Sequence, residues 1–272
     1  MLGRMTYLRR VFKITHKKGN KSPQNYEMDY ENLQICMKDN CTLKGWFVEA
    51  DSFNTVIIFH NLNGNKEKYL KRIKYLHNIN WNVVIFDLRS HGESDYTGIR
   101  IFHKVLEDGM NIINYVFNNI AQKKGKIVLY GFSIGAYIAS SCMSMEMVNG
   151  IILDSGPAIN IKEALFKMAG RVTTNRIDRF LTFQCVKLFY GYRQKDIKKL
   201  INNFRHTDKA VLFIHGDRDE FVIWKDTRKI YDICNSKNKI YLLIKGSHHL
   251  TNDIYDLEKY ERELSDFFNN VV

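Results

Sequence analysis

The stretch Ile127-Val-Leu-Tyr-Gly-Phe-Ser-Ile-Gly135 runs a short apolar segment straight into a Gly-x-Ser-x-Gly string. Consecutive β-prone residues read as a strand buried on both faces, and a helical pattern opens after Ser133. A serine on such a strand-to-helix turn is held in a strained backbone conformation, and the flanking Gly131 and Gly135 remove side chains that would clash across it. Its hydroxyl then stands clear of the sheet, above a helix N-terminus that favours developing negative charge. The run Ile127 to Met145 carries no charge and approaches the length of a membrane span. Two glycines and four serines inside it favour a buried strand entering a buried helix.

The same rhythm extends outward in both directions. A hairpin (Leu33 to Cys36, then Thr42 to Val48) precedes the runs Val56–Phe59 and Val83–Phe86, with helical patterns near Lys66–His77 and Phe102–Asn119. After a helix from Ser133 to about Met147 come Ile151–Leu153, Val211–Ile214 and Ile240–Ile244. Helical patterns near Lys225–Cys234 and Leu257–Phe268 complete the series. Alternating strands and helices of this kind predict an α/β domain with a mainly parallel sheet and helices on both faces. Two segments break the rhythm: an N-terminal arm, residues 1–31, and residues 158–209. The second has helical spacing without a strand run, and carries Phe166, Phe180, Phe183, Phe189, Tyr190, Tyr192 and Phe204. It reads as a helical cap (158–209) inserted into a core of residues 32–157 and 210–272, overhanging the carboxyl ends of the strands, where such sheets bind ligands.

The 272 residues carry a formal charge of +12, which raises a nucleic-acid partner until the charge is located. Residues 1–26 hold seven Lys/Arg and no acid, and residues 158–209 hold twelve against four, so the rest is slightly acidic. Basicity confined to an arm and a cap reads as solvated surface suited to anionic partners, not as a nucleic-acid groove. In the arm, Met1, Met5, Leu8 and Phe12 recur at helical spacing between basic residues. That pattern fits a short helix packed on its own domain or a weak contact with a membrane surface. The N-terminus lacks the apolar run of a secretory signal, and five cysteines without a CxxC suggest reduced thiols, so a cytoplasmic protein is expected, at most peripheral to a membrane. Cys36 and Cys41 flank the turn signal Asp39-Asn40, an arrangement that allows them to face each other across the hairpin. No His/Cys/Asp/Glu spacing suggests a metal, and no cofactor motif is present. The oligomeric state is not legible.

A serine hydroxyl needs a base within hydrogen-bond reach and a third group to orient that base. Downstream, Phe213-Ile-His-Gly-Asp-Arg-Asp-Glu-Phe-Val222 places Asp217 and Asp219 just past one strand, and Lys245-Gly-Ser-His-His-Leu250 places His248 and His249 past the next. The chain order is Ser, Asp, His, on three strand ends.

With these blocks stand Phe59-His-Asn-Leu-Asn-Gly-Asn65, Asp87-Leu-Arg-Ser-His-Gly-Glu-Ser94 and Leu153-Asp-Ser155. Together they make the chain, from about Asn32 to Phe268, resemble the α/β-hydrolases, in particular bacterial serine esterases and acylglycerol-lipase-like and serine-aminopeptidase-like hydrolases. The resemblance implies an eight-stranded sheet with the cap inserted before the strand preceding the catalytic acid. It implies Ser133 as nucleophile, Asp219 as acid and, by its place three residues after the glycine of its loop, His249 rather than His248 as base. It also implies that the backbone N–H groups of Leu62 and Ile134 hold the oxyanion. Asp217 is then expected to cap its loop, and Arg89, His91 and Ser94 to hold loop geometry. Asp154 becomes a turn residue in preference to an alternative acid, and His60 and His215 become hydrogen-bonded scaffold. The implied activity is cleavage of small-molecule carboxylic esters, acyl, aryl or lipid-like, without metal or cofactor. A peptidase or amidase using the same residues and a non-catalytic member of the fold stay open. Two departures stand out: Asn61 where the family has Gly, and Ile223 where it often has Pro.

Overall fold

A computed structural model describes residues 19–97, 102–121, 124–160, 163–164, 166–167, 175–190 and 194–271, with backbone alone at 102–103, 182, 185–190, 194–195 and 271. The arm helix expected at Met1 to Lys13 and the side chains of Phe189, Tyr190 and Tyr192 lie outside the described residues.

Every apolar run forms a strand. In chain order the elements are β1 (Glu31–Cys36), β2 (Thr42–Val48), β3 (Thr55–Phe59), α1 (Leu70–Asn78) after a 3-10 turn at Lys66–Tyr69, β4 (Asn82–Phe86) and α2 (Phe102–Asn119). There follow β5 (Ile127–Phe132), α3 (Ile134–Cys142), β6 (Val148–Asp154), α4 (Arg176–Tyr190), α5 (Gln194–His206) and β7 (Ala210–Gly216). The series ends with α6 (Trp224–Ile233), β8 (Lys239–Ile244), α7 (Asn252–Tyr255) and α8 (Leu257–Val271). The strands form one eight-stranded sheet in the order β1-β2-β4-β3-β5-β6-β7-β8. The pairs β1–β2 and β2–β4 are antiparallel and all others parallel.

The period-two geometry of a strand divides the core cleanly. Ile57, Phe59, Val84, Leu129, Ile151 and Phe213 point to one face, under α2, α3, α5 and α6; Val56, Ile58, Val83, Val128, Ile152 and Leu212 point to the other, under α1 and α8. The central strands β3, β4 and β5 are buried along their whole length, which is why they read as unbroken apolar runs.

Three details differ from the sequence reading. The helix after Ser133 stops at Cys142, and a turn (Met145 N–H to the Cys142 carbonyl) feeds β6 from Val148, three residues before Ile151. Within residues 158–209, α5 packs on α3, and its Ile197, Leu200 and Phe204 lie in the core face beneath it. Cys36 pairs in register with Thr42 and is exposed while Cys41 is buried, so the two thiols do not meet. Burial pushes the Cys41 thiol up to about 11 and Cys142 up to about 12, so both stay protonated at neutral pH.

Candidate active site

Ser133 follows the last residue of β5 with φ 55° and ψ −108°, a conformation L-residues rarely adopt. The two glycines are there for space. A Cβ at Gly131 would lie 2.2 Å from the Gly135 carbonyl oxygen, and one at Gly135 would lie 1.9 Å from the Phe59 carbonyl oxygen. The second figure shows how tightly the start of α3 is pressed against the end of β3, where the His60–Gly64 loop begins.

The structure brings Ser133, His249 and Asp219 together. His249 Nε2 is 3.0 Å from Ser133 Oγ, and His249 Nδ1 is 2.7 Å from Asp219 Oδ2. The Asp219 side chain is fully buried and that of His249 nearly so, at 13% exposure. Asp219 Oδ1 accepts the amides of Phe221 and Val222, each at 2.9 Å. His215 Nε2 stands 3.3 Å from Asp219 Oδ2 and 2.9 Å from the Val222 carbonyl, with Thr227 Oγ1 3.0 Å from its Nδ1. That pattern sets an Nε2–H tautomer which donates to both oxygens. Burial alone would raise the Asp219 carboxyl, but the hydrogen bonds from His215 and His249 outweigh it and hold the group well below the usual carboxylate range. Phe221 sets its ring edge-on against His249, centroids 5.1 Å apart.

The neighbouring candidates are elsewhere engaged. Asp217 Oδ1 accepts the Gly246 amide at 2.6 Å, tying the β7 loop to the β8 loop. His248 is 46% exposed and faces Glu220, Nδ1 to Oε2 3.2 Å, away from Ser133. Asp154 is buried among Ser155, Asn252 and Tyr260.

In the loop after β3, three of four successive amides have acceptors: Asn61 N–H to Tyr69 Oη, Asn63 N–H to His91 Nε2 and Gly64 N–H to the Asn61 carbonyl. The Leu62 amide is the one without an acceptor among the described residues. Ile134 opens α3 at a position where the N–H has no intrahelical partner. Asn61 does not take up left-handed geometry; that falls to Asn63, φ 62°. Asn61 instead fixes the loop with its side chain, donating to the Leu62 carbonyl at 2.8 Å and accepting from Tyr69 Oη at 2.8 Å.

The sequence profile of the family described as serine aminopeptidase, S33, matches residues 50–188, just over half of the chain. The chain belongs to this family of α/β-hydrolases. Among curated relatives, Bacillus subtilis YqkD is 26% identical over 240 residues, covering 84% of this chain and 76% of that protein. Protein bem46 of Schizosaccharomyces pombe is 26% identical over 258 residues, covering 90% and 79%. Among solved structures, an esterase of Pyrococcus furiosus superposes with a TM-score of 0.80 at 22% identity, over 94% of this chain and 96% of that one. At that identity the likeness speaks for the fold. No helix among the described residues is long and apolar enough to cross a membrane.

In this α/β-hydrolase the Asp87–Ser94 block is scaffold for the loops around Ser133. His91 Nδ1–H donates to the Arg89 carbonyl, leaving Nε2 to receive the Asn63 amide. His60 similarly receives the Leu88 amide on Nε2, and burial beside His91 holds its imidazole well below its ordinary value, neutral. Ser94 Oγ donates to the Asp87 carbonyl and accepts the Lys44 amide. Arg89 makes a two-pronged bond to buried Asp108, at 2.5 and 2.6 Å. Arg89→Leu strands that carboxylate, and is expected to cost about 3–5 kcal/mol in urea unfolding. A loss under 1 kcal/mol would mean that water replaces the guanidinium.

Proposed function

We propose that this α/β-hydrolase cleaves carboxylic esters of small molecules through an acyl-enzyme on Ser133. The observation that carries the reading is the unbroken chain from Ser133 Oγ through the His249 ring to Asp219, with 3.0 and 2.7 Å steps. Ser133 Oγ attacks the ester carbonyl while His249 Nε2 takes its proton. Asp219 holds Nδ1–H and stabilises the imidazolium that forms. The tetrahedral oxyanion is met by the amides of Leu62 and Ile134, the first left without an acceptor by its loop and the second by its place at the start of α3. His249 then protonates the leaving alcohol, and a water activated by the same nitrogen releases the acid.

Esters are preferred to amides on the company the fold keeps: superposable structures include the Pyrococcus furiosus esterase and a Paleococcus ferrophilus monoacylglycerol lipase, TM-score 0.62 at 17% identity. Acyl or aryl groups would suit the aromatic segment read from the sequence as a cap, in which Phe166 and Phe183 meet edge-on at 5.7 Å and Phe183 packs against the core.

The test is turnover of p-nitrophenyl esters of increasing acyl length, with fluorophosphonate labelling of the same preparation. Turnover with a maximum at one length, and a label on Ser133, is the expected result. A folded protein that hydrolyses no ester and takes no label would end the proposal. A label without ester turnover would favour an amide substrate.

A further inference from the structure

Ser133 and His249 follow β5 and β8, which are separated in the sheet by β6 and β7. Three interstrand steps of about 4.8 Å put those strand ends about 14 Å apart. The 3.0 Å contact between the two side chains therefore requires the loop after β8 to double back across the sheet. The place to which it is fastened is the end of β6. Ser155 Oγ accepts the amide of Leu250, the residue after His249, at 3.1 Å. Asp154 Oδ1 accepts Asn252 Nδ2 at 2.7 Å and the Ser155 hydroxyl at 2.8 Å. Asn252 Oδ1 in turn accepts the Ser247 hydroxyl at 2.8 Å, so both sides of the His249 turn are tied to one carboxylate. The backbone of the same residue holds the nucleophile, because the Ser133 amide donates to the Asp154 carbonyl at 2.9 Å.

We propose that Asp154, acting with Ser155 and Asn252, is a positioning residue that sets the Ser133–His249 distance. It fixes the nucleophile turn through its carbonyl and the loop of the base through its carboxylate. The proposal rests on the reading of Ser133 and His249 given above. Asp154 is not a second acid for His249: its Oδ2 receives the Tyr260 hydroxyl, and its oxygens face Ser155, Asn252 and Tyr260. Three donors converging on one group call for a carboxylate, which accepts on both oxygens. Tyr260 also meets the Tyr130 hydroxyl, and the Arg72 guanidinium lies over its ring at 4.4 Å. The carboxylate is thereby anchored to α8 through Oδ2, the oxygen that the loop does not use.

The anchor and the loop are separable by mutation. Ser155→Ala and Asn252→Ala free the loop; Tyr260→Phe removes a donor to Asp154 but none to the loop. With p-nitrophenyl butyrate, freeing the loop is expected to lower kcat about 10- to 100-fold at unchanged KM, the size of effect that a misplacement of about 1 Å produces. The fluorophosphonate labelling rate should fall by the same factor. Asp154→Ala should do at least as much, and Asp154→Asn, which keeps one acceptor for the loop, should recover part of the loss. Tyr260→Phe should lower the thermal midpoint with kcat within about threefold of wild type.

A second readout does not depend on turnover: the downfield proton resonance of His249 Nδ1–H, assigned by its loss in His249→Ala. It should broaden or vanish in Ser155→Ala and Asn252→Ala and persist in Tyr260→Phe. If the resonance and kcat are unchanged in the folded loop variants, or if Tyr260→Phe matches them, the positioning role is overturned. If wild type takes no label at Ser133 while the resonance still responds to Asn252→Ala, the proposed role of Ser133 fails and the tie from Asp154 to the His249 loop stands.

Discussion

Replacing Ser133 with Ala is expected to lower kcat for a p-nitrophenyl ester on the order of 10⁶-fold, because nucleophile and base act as a unit and neither is useful alone. Background from the oxyanion site and binding would remain, roughly 10³–10⁴ over water. The same position makes a second, opposite prediction for stability. Ser133 sits at φ 55° and ψ −108°, and such a residue stores about 1–3 kcal/mol of backbone strain. Ser133→Ala keeps the strain, whereas Ser133→Gly releases it, less the entropy glycine gains in the unfolded chain. A net gain of about 1 kcal/mol would raise the melting temperature of Ser133→Gly over Ser133→Ala by about 2–4 °C. Both variants should be inactive. An Ala variant that keeps wild-type turnover would remove Ser133 from the mechanism, and equal melting temperatures would mean that the turn relaxes without its hydroxyl.

The fold was legible because β3, β4 and β5 are buried on both faces and so spell themselves out as apolar runs. The turn at Ser133 was legible because a Gly-x-Ser-x-Gly string stands directly after such a run and before a helical pattern. Asp219 and His249 needed the resemblance to separate them from Asp217 and His248, since residue type and strand-end position are shared by all four. The structure parts them by direction: Asp217 turns to the Gly246 amide and His248 to Glu220. What the sequence withheld was contact across long separations. Nothing in the letters joins Asp154 to Asn252 or Tyr260, and Tyr260 sits among core residues of α8 as any buried aromatic would. The burial of α5 was hidden for a related reason. Spacing of Ile197, Leu200 and Phe204 shows that one side of that helix is covered, without saying that α3 and the sheet do the covering.

The hydrogen bonds around Asp219 set the tautomer of His249. Oδ1 is committed to the amides of Phe221 and Val222, and Oδ2 faces His249 Nδ1 and His215 Nε2. An Asn at this position has one acceptor oxygen and one amino group. The two backbone amides claim the oxygen, so the amino group of Asp219→Asn is turned toward His249 Nδ1. That nitrogen must then accept, which moves the ring proton to Nε2, where it points at Ser133 Oγ and blocks removal of the serine proton. Asp219→Asn is therefore expected to lose about 10⁴-fold in kcat with little change in KM, His249→Ala on the order of 10⁶-fold, and His248→Ala less than threefold. A greater loss in His248→Ala than in His249→Ala would reassign the base. Stability should carry a matching signature. The Asp219 carboxyl is held below its unfolded value of about 3.9, so its contribution is fully present above about pH 4 and is lost as pH falls through the folded-state value. The difference in unfolding free energy between wild type and Asp219→Asn should accordingly be constant at neutral pH and shrink below about pH 4. A difference that does not change with pH would mean that the carboxylate gains nothing from its two histidines and does not hold His249 in one tautomer.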